Sequence, residues 1–261
     1  MGIFEAVKKG FVLSQKLLNV VLVFFVFNAI IGLISLPLAN PDKADDPGIA
    51  VISIITSVIF FLIFIFLQGG ALGLVKDEIK TGLTNIGKFV EYGKKYYKSI
   101  LALLLIYIVL AICVVLLLSL VSAGVLLLGD NGITRSILAA IITVVAIVAI
   151  TMLIYPIYSV VVDDIGAVAA LKKGIGVAKD HFWNTLGLFI VMLIISMVIS
   201  LLIGFVIGLV TIPMPEGVGA ILITLVNAAV QSYMPIIMMI SFMSFYMALN
   251  VKGLSQQQSQ Y

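Results

Sequence analysis

Polar and apolar residues in this chain are not interleaved. They are sorted into long blocks. Six blocks are almost continuously apolar: Leu17–Leu38, Ile49–Val75, Ile100–Leu128, Ile137–Val162, Phe182–Ile212 and Val218–Leu249. None holds an Asp, Glu, Lys or Arg between its ends. A helix needs ~20 such residues to cross ~30 Å of hydrocarbon, and one charge at its centre costs roughly 2.5–3.5 kcal/mol. The pattern predicts an all-α, polytopic membrane protein with six transmembrane helices. Barrel strands would alternate in short segments, which these blocks do not. Several blocks exceed ~25 residues, so some helices should tilt, kink or protrude.

Composition supports the same class. Hydrophobic residues make up 63% and charged residues 10%, against about 45–50% and about 25% in soluble chains. The mean hydropathy is +1.30. A soluble exterior needs more charge than this, so a soluble enzyme, a nucleic-acid binder and a disordered chain are excluded. Cys113 is the sole cysteine and His181 the sole histidine. They offer neither a disulfide framework nor a multi-histidine metal site. No cofactor and no metal are expected.

The 15 lysines and arginines are distributed unevenly. All but Lys43 and Arg135 fall before the first block, between the second and third, between the fourth and fifth, or after the sixth. The positive-inside rule then places both termini in the cytoplasm of a cell (plasma) membrane protein. Asp42, Asp45, Asp46, Asp130 and Glu216 fall on the opposite side.

The inner connections each contain an amphipathic segment. Phe4, Val7, Phe11 and Ser14 oppose Glu5, Lys8, Lys9 and Lys16. Ile86, Phe89, Val90, Tyr96 and Tyr97 oppose Lys88, Glu91, Lys95 and Lys98. Ile165, Val168, Leu171, Ile175 and Ala178 oppose Lys172, Lys173 and Lys179. Such helices either lie in the headgroup plane or cap the bundle and contact the next helix. The unit of basic helix, span, short outer turn and span recurs three times. Val7-Lys8-Lys9-Gly10 matches Leu171-Lys172-Lys173-Gly174, and Val90-Glu91-Tyr92-Gly93 lies near the halfway register. The second span of each unit carries a breaker: Gly69-Gly70, Pro156 and Pro235. We expect one membrane domain over 1–252, with three parallel repeats at about 1–80, 81–164 and 165–252, and a polar tail over 253–261. Two-span units return the chain to one side, so the repeat axis would follow the membrane normal.

No Asp, Glu, Lys, Arg or His sits inside a span, which argues against proton relays and pumps. The intramembrane polar candidates are Asn28, Gln68, Asn227 and Gln231. They serve either as interhelical hydrogen bonds or as a cluster lining a cavity. Ser196, Ser200, Gly204 and Gly208 recur every fourth residue, a ridge that lets another backbone approach. Packing within the chain is its first reading and an oligomer seam its second. Asp163-Asp164 reads as a helix N-cap, with metal binding alongside Asp77-Glu78 as the rival. His181-Phe182-Trp183 reads as an interfacial anchor. No Gly-x-Ser-x-Gly, His-Glu-x-x-His or phosphate loop occurs, so no catalytic residue is nominated.

The stretch Tyr155-Pro156-Ile157-Tyr158, Asp163-Asp164, Ala167 to Leu171-Lys172-Lys173 and Phe182-Trp183 resembles the membrane domain of some glycerophosphodiester phosphodiesterases. It also resembles related six-span bacterial and archaeal families of uncharacterised function. The resemblance is clearest over Leu153–Ile194. It implies a polytopic membrane domain and carries over no catalysis, because the hydrolase chemistry of those fusions belongs to a separate soluble domain. The favoured expectation is a non-enzymatic scaffold or lipid-associated accessory protein. Lys8, Lys9, Lys94, Lys95, Lys172 and Lys173 would contact lipid headgroups, and membrane lipids, a second copy or another membrane protein would be its partners. One alternative is a transporter or channel for a lipid-like or small uncharged solute. The other is an enzyme acting on lipid headgroups.

Overall fold

The structure is a computed structural model. It describes residues 1–38, 47–126, 129 and 131–258, with 37–38, 126, 216 and 251–258 described by backbone alone. Asp42, Lys43, Asp45, Asp46 and Asp130 lie outside the described residues. Every regular element among the described residues is helical. In chain order they are α1 (Ile3–Ser14), α2 (Leu18–Leu38), α3 (Pro47–Thr81), α4 (Phe89–Leu126), α5 (Gly132–Leu153), α6 (Pro156–Val162), α7 (Ala167–Asp180), α8 (Phe182–Thr211) and α9 (Glu216–Gln258).

Six segments are long and apolar enough to cross a bilayer: Ile3–Leu36, Pro47–Thr81, Ile86–Val125, Gly132–Val162, Phe182–Thr211 and Gly217–Asn250. The chain is a multi-pass membrane protein. Its outward-facing side chains fit that environment: Leu117, Leu120, Leu201, Leu202 and Phe205 are each more than 60% exposed. In water that surface would drive aggregation, whereas lipid tails match it. The expected polar tail starts inside α9, whose backbone stays helical to Gln258. The rest of the tail is outside the described residues.

The expected helix breakers behave differently from one another. Pro156 does end a helix. It occupies the first turn of α6, where its missing N–H costs nothing. Pro235 lies within α9 without interrupting it. Gly69-Gly70 do not break α3 at all. They give space instead: a Cβ at Gly70 would stand 2.8 Å from the Phe89 carbonyl, and one at Gly73 would overlap the Tyr92 ring. The amphipathic segments also differ. A 3-10 turn, Gln15–Leu17, joins α1 to α2, and His181 separates α7 from α8. The middle segment is continuous with its span in α4.

The chain divides into two compact units. One comprises Met1–Tyr97 with Gly187–Tyr261, and the other comprises Lys98–Leu186. In the first, α9 packs against α1, α2 and α3. Its stretch from Ile236 to Tyr246 is largely buried. The α1 face that docks there is small: Ala6, Val7, Gly10 and Ser14 are buried, whereas Phe4 is 79% exposed. The packing face therefore keeps Val7 and Ser14 of the expected face but is rotated toward Ala6 and Gly10 and away from Phe4. Close approach selects the small side chains, because a Cβ at Gly10 would overlap Ser241 and crowd the Ile237 carbonyl. In the second unit, α7 packs on α5 and α6 through Ala167, Ala170, Gly174 and Ala178. A Cβ at Gly174 would run into the Pro156 backbone. Gly93 of α4 meets the Phe66 ring of α3 in the same way.

Candidate functional site

Three of the four expected intramembrane amides come together. Asn28 on α2, half-buried, and Gln231 on α9, exposed, line a cavity of about 590 Å³ that is open on one side and whose third wall is α3. Asn28, Gln231 and Asn227 also line a second cavity of about 220 Å³ between α2 and α9. The two cavities share Asn28, Ile31 and Gln231. Gln68 is half-buried and lines neither. It sits one turn beyond Phe64, toward the lysine-rich end of α3. Gly32 sets the narrow end of the smaller cavity, where a Cβ would stand 2.5 Å from the Thr224 methyl.

Hydrogen bonding fixes how one amide is presented. The Ser232 hydroxyl donates to the Ala228 carbonyl at 2.5 Å, so toward Asn28 it acts only as an acceptor. Asn28 must therefore turn its NH₂ to Ser232, at 2.9 Å, which leaves its Oδ1 as an open acceptor. Pro235 adds to this. It has no N–H for the carbonyl four residues earlier, which belongs to Gln231. The helix thus loses a backbone donor at the residue shared by both cavities.

The α3 wall is a stripe at helical spacing: Ser53, Thr56, Ser57, Phe60, Phe61 and Phe64. Its rings interlock with α2. Phe27 meets Phe60 edge-on at 5.9 Å and stacks on Phe64 at 6.4 Å. Residues 53, 56, 57, 60, 61 and 64 follow an i, i+3, i+4 pattern that is visible in the sequence. The sequence reading missed it because hydroxyls and rings inside an apolar block change its hydropathy little. Among the described residues no Asp, Glu, Lys or Arg lines either cavity. The arrangement can hold an uncharged group with both hydrogen-bonding and apolar parts. It has no side chain to neutralise a buried charge.

The carboxylates lie elsewhere and are engaged. Tyr92 donates to Asp77 at 2.6 Å. This hydrogen bond, with burial, pushes the Tyr92 phenol, which precedes the apolar part of α4, from 10.0 up to about 12. The raised value means the stabilisation is complete below pH 10 and lost as pH climbs through about 12. A tyrosinate absorbance titration should place this phenol among the late ones, and Asp77→Asn, which removes the charge but leaves the burial, should bring it earlier. Glu78 is buried, and Thr84 donates to it at 2.5 Å. Lys16 stands 3.0 Å from its other oxygen, an ion pair by distance although not aligned as a hydrogen bond. Asp163 pairs with Lys173 at 2.8 Å. Asp163-Asp164 is not the N-cap of α7. Gly166 holds that position, Asp163 closes α6, and Asp164 takes a left-handed φ of 57° in the turn between them. Among the described residues no three His, Cys, Asp or Glu side chains gather around a common point.

The other expected residues are scattered over the surface. Lys8, Lys94, Lys95, Lys172 and Lys173 are exposed and Lys9 is half-buried, with Lys95 5.1 Å above the Tyr96 ring. Trp183 is 79% exposed and stacks edge-on with Phe182. The Ser196–Gly208 ridge is not used for packing at its glycines. Nothing lies within 4 Å of a Cβ built at Gly204 or Gly208, and Ser200 is exposed. Ser196 is half-buried and donates to the Met192 carbonyl of its own helix.

No curated protein and no solved structure matches the chain. A family match does cover the cavity-forming helices α2, α3 and α9 up to residue 249. It extends over residues 17–249, and the chain belongs to the family described as a domain of unknown function, DUF7847.

Proposed function

We propose that this is a non-enzymatic membrane protein that binds, and by binding passes, an uncharged lipid-like or small solute in the cavity formed by α2, α3 and α9. The observation that carries this reading is the convergence of Asn28, Asn227 and Gln231 on connected walls with no charged side chain among the described residues that line them. Isolated amides that served only to glue helices would be expected to face single partners. Here Asn28 keeps an open acceptor beside a cavity large enough for a ligand. The test is binding of an uncharged naphthalene fluorophore to the full chain in detergent. The fluorophore carries one hydroxyl, able to donate to Asn28 and accept from Gln231, and each of these hydrogen bonds is worth about 1 kcal/mol, or about fivefold. Asn28→Leu with Gln231→Leu should weaken binding about 25-fold. Unchanged affinity in a folded double variant would refute the site.

The lysine-rich ends support a second role. Lys8, Lys94 and Lys172 are exposed next to the exposed apolar side chains Phe4, Val90 and Val168. With both termini in the cytoplasm of a plasma-membrane protein, these helices would contact the inner leaflet, each lysine contributing about 1 kcal/mol of attraction to anionic lipid. Nanodisc lipid-enrichment measurements should then show anionic lipid around the chain in low salt and lose it in high salt. Equal enrichment of zwitterionic lipid would remove this role.

The threefold repeat is also proposed. Its support is the three glycine joints, Gly10 on α9, Gly93 on α3 and Gly174 on α6. In each, a basic helix rests on the second span of the preceding unit, the first on the last.

A further inference from the structure

We infer that the occupant of the larger cavity is a neutral acylglycerol, a lipid whose head carries a free hydroxyl beside ester carbonyls. This rests on the cavity reading above and names its ligand class. A bound group must match the donors and acceptors that the two walls present. On α3, the hydroxyls of Ser53, Thr56 and Ser57 line the cavity. They make no hydrogen bond among the described residues, unlike Ser35 and Thr224 on the facing helices, which donate to carbonyls four residues back. The α3 wall therefore offers three hydroxyls, each able to donate one hydrogen bond and also to accept. On the opposite wall Asn28 offers its Oδ1, because its NH₂ is held by Ser232.

A ligand with carbonyl acceptors toward α3 and a hydroxyl donor toward Asn28 satisfies both walls. An acylglycerol does this with one glycerol unit, and its chains lie along the apolar spans. A quinone has carbonyls but no donor, so it leaves Asn28 unmatched. A phosphatidate brings a charge into a cavity lined by no cation among the described residues, which is costly in a low-dielectric site. The Phe60, Phe61 and Phe64 stripe lies below the hydroxyls and suits the start of an acyl chain.

The test is competition for the uncharged naphthalene fluorophore on the full chain in detergent micelles, with dioleoylglycerol, a short-chain quinone or dioleoyl phosphatidate as competitors. Dioleoylglycerol should displace the fluorophore at tenfold lower concentration than either rival. In the triple variant Ser53→Ala, Thr56→Val, Ser57→Ala, dioleoylglycerol should lose that advantage, read as the ratio of its displacing concentration to those of the two rivals. Phosphatidate or quinone competing as well as dioleoylglycerol would overturn the ligand class and leave the cavity reading standing. Failure of the fluorophore to bind the unmodified chain would overturn both. The ranking on the unmodified chain decides the matter if the triple variant does not fold.

Discussion

Valine at position 174 is expected to destabilise the Lys98–Leu186 unit by about 1–3 kcal/mol. The reason is geometric. Gly174 faces the backbone of Pro156, and the atoms a new side chain would meet are main-chain nitrogen and Cα. A flexible side chain could swing aside, but a proline at the first turn of a helix cannot. The substitution must push α7 off α6 and reopen the contacts of Ala170 and Ala178, both fully buried. Gly204→Val is the matched control, because nothing lies within 4 Å of the built Cβ. Its effect should stay within about 0.5 kcal/mol. Denaturant titration in mixed micelles, followed by circular dichroism, measures both. Equal losses in the two variants would mean that the α6–α7 joint is not formed as described.

The second large effect concerns an asymmetric ion pair. The Glu78 side chain is 2% exposed, whereas that of Lys16 is 55% exposed. Removing the lysine strands a buried carboxylate. Removing the acid releases an ammonium that water already reaches. Lys16→Met should therefore cost about 3 kcal/mol, the low end for breaking a buried pair, since Thr84 still donates to Glu78. Glu78→Gln should cost less, and adding it to Lys16→Met should recover most of the loss. The same titration gives all three numbers. A larger loss for Glu78→Gln than for Lys16→Met would contradict the burial on which this argument stands.

The two joints also show what can and cannot be read from sequence. The six spans were legible because insertion penalties act on every residue, so charges are swept to the ends of each block. Gly10 and Gly174 were legible as a repeated Lys-Lys-Gly motif, but what they touch was not. Closeness is a property of two elements, and a glycine looks the same whether it frees a turn, a helix surface or nothing. Gly204 and Gly208 show the reverse case, with ideal spacing for a close contact and no neighbour within 4 Å. Asp163 illustrates competition between local and tertiary partners. A carboxylate before a helix was read as a cap, yet Lys173, ten residues on, takes it, and Gly166 starts the helix without a side-chain cap.

The cavity was half legible. Asn28, Asn227 and Gln231 stood out as amides in apolar blocks, and their meeting depended on α2 lying beside α9, about 200 residues apart in the chain. No local pattern encodes that adjacency. The hydroxyl and phenylalanine stripe on α3 had the right helical spacing and was overlooked because it is almost as apolar as its surroundings.

The cavity between α2, α3 and α9 is the claim on which the functional account rests, and a cryo-electron microscopy map of the full chain in native-lipid nanodiscs, with a rigid fiducial bound, tests it most directly. The account predicts elongated non-protein density with its head between Ser57 and Asn28 and its body along Phe60, Phe61 and Phe64. A map in which α2 and α3 close on each other, leaving no space beside Gln231, would contradict it.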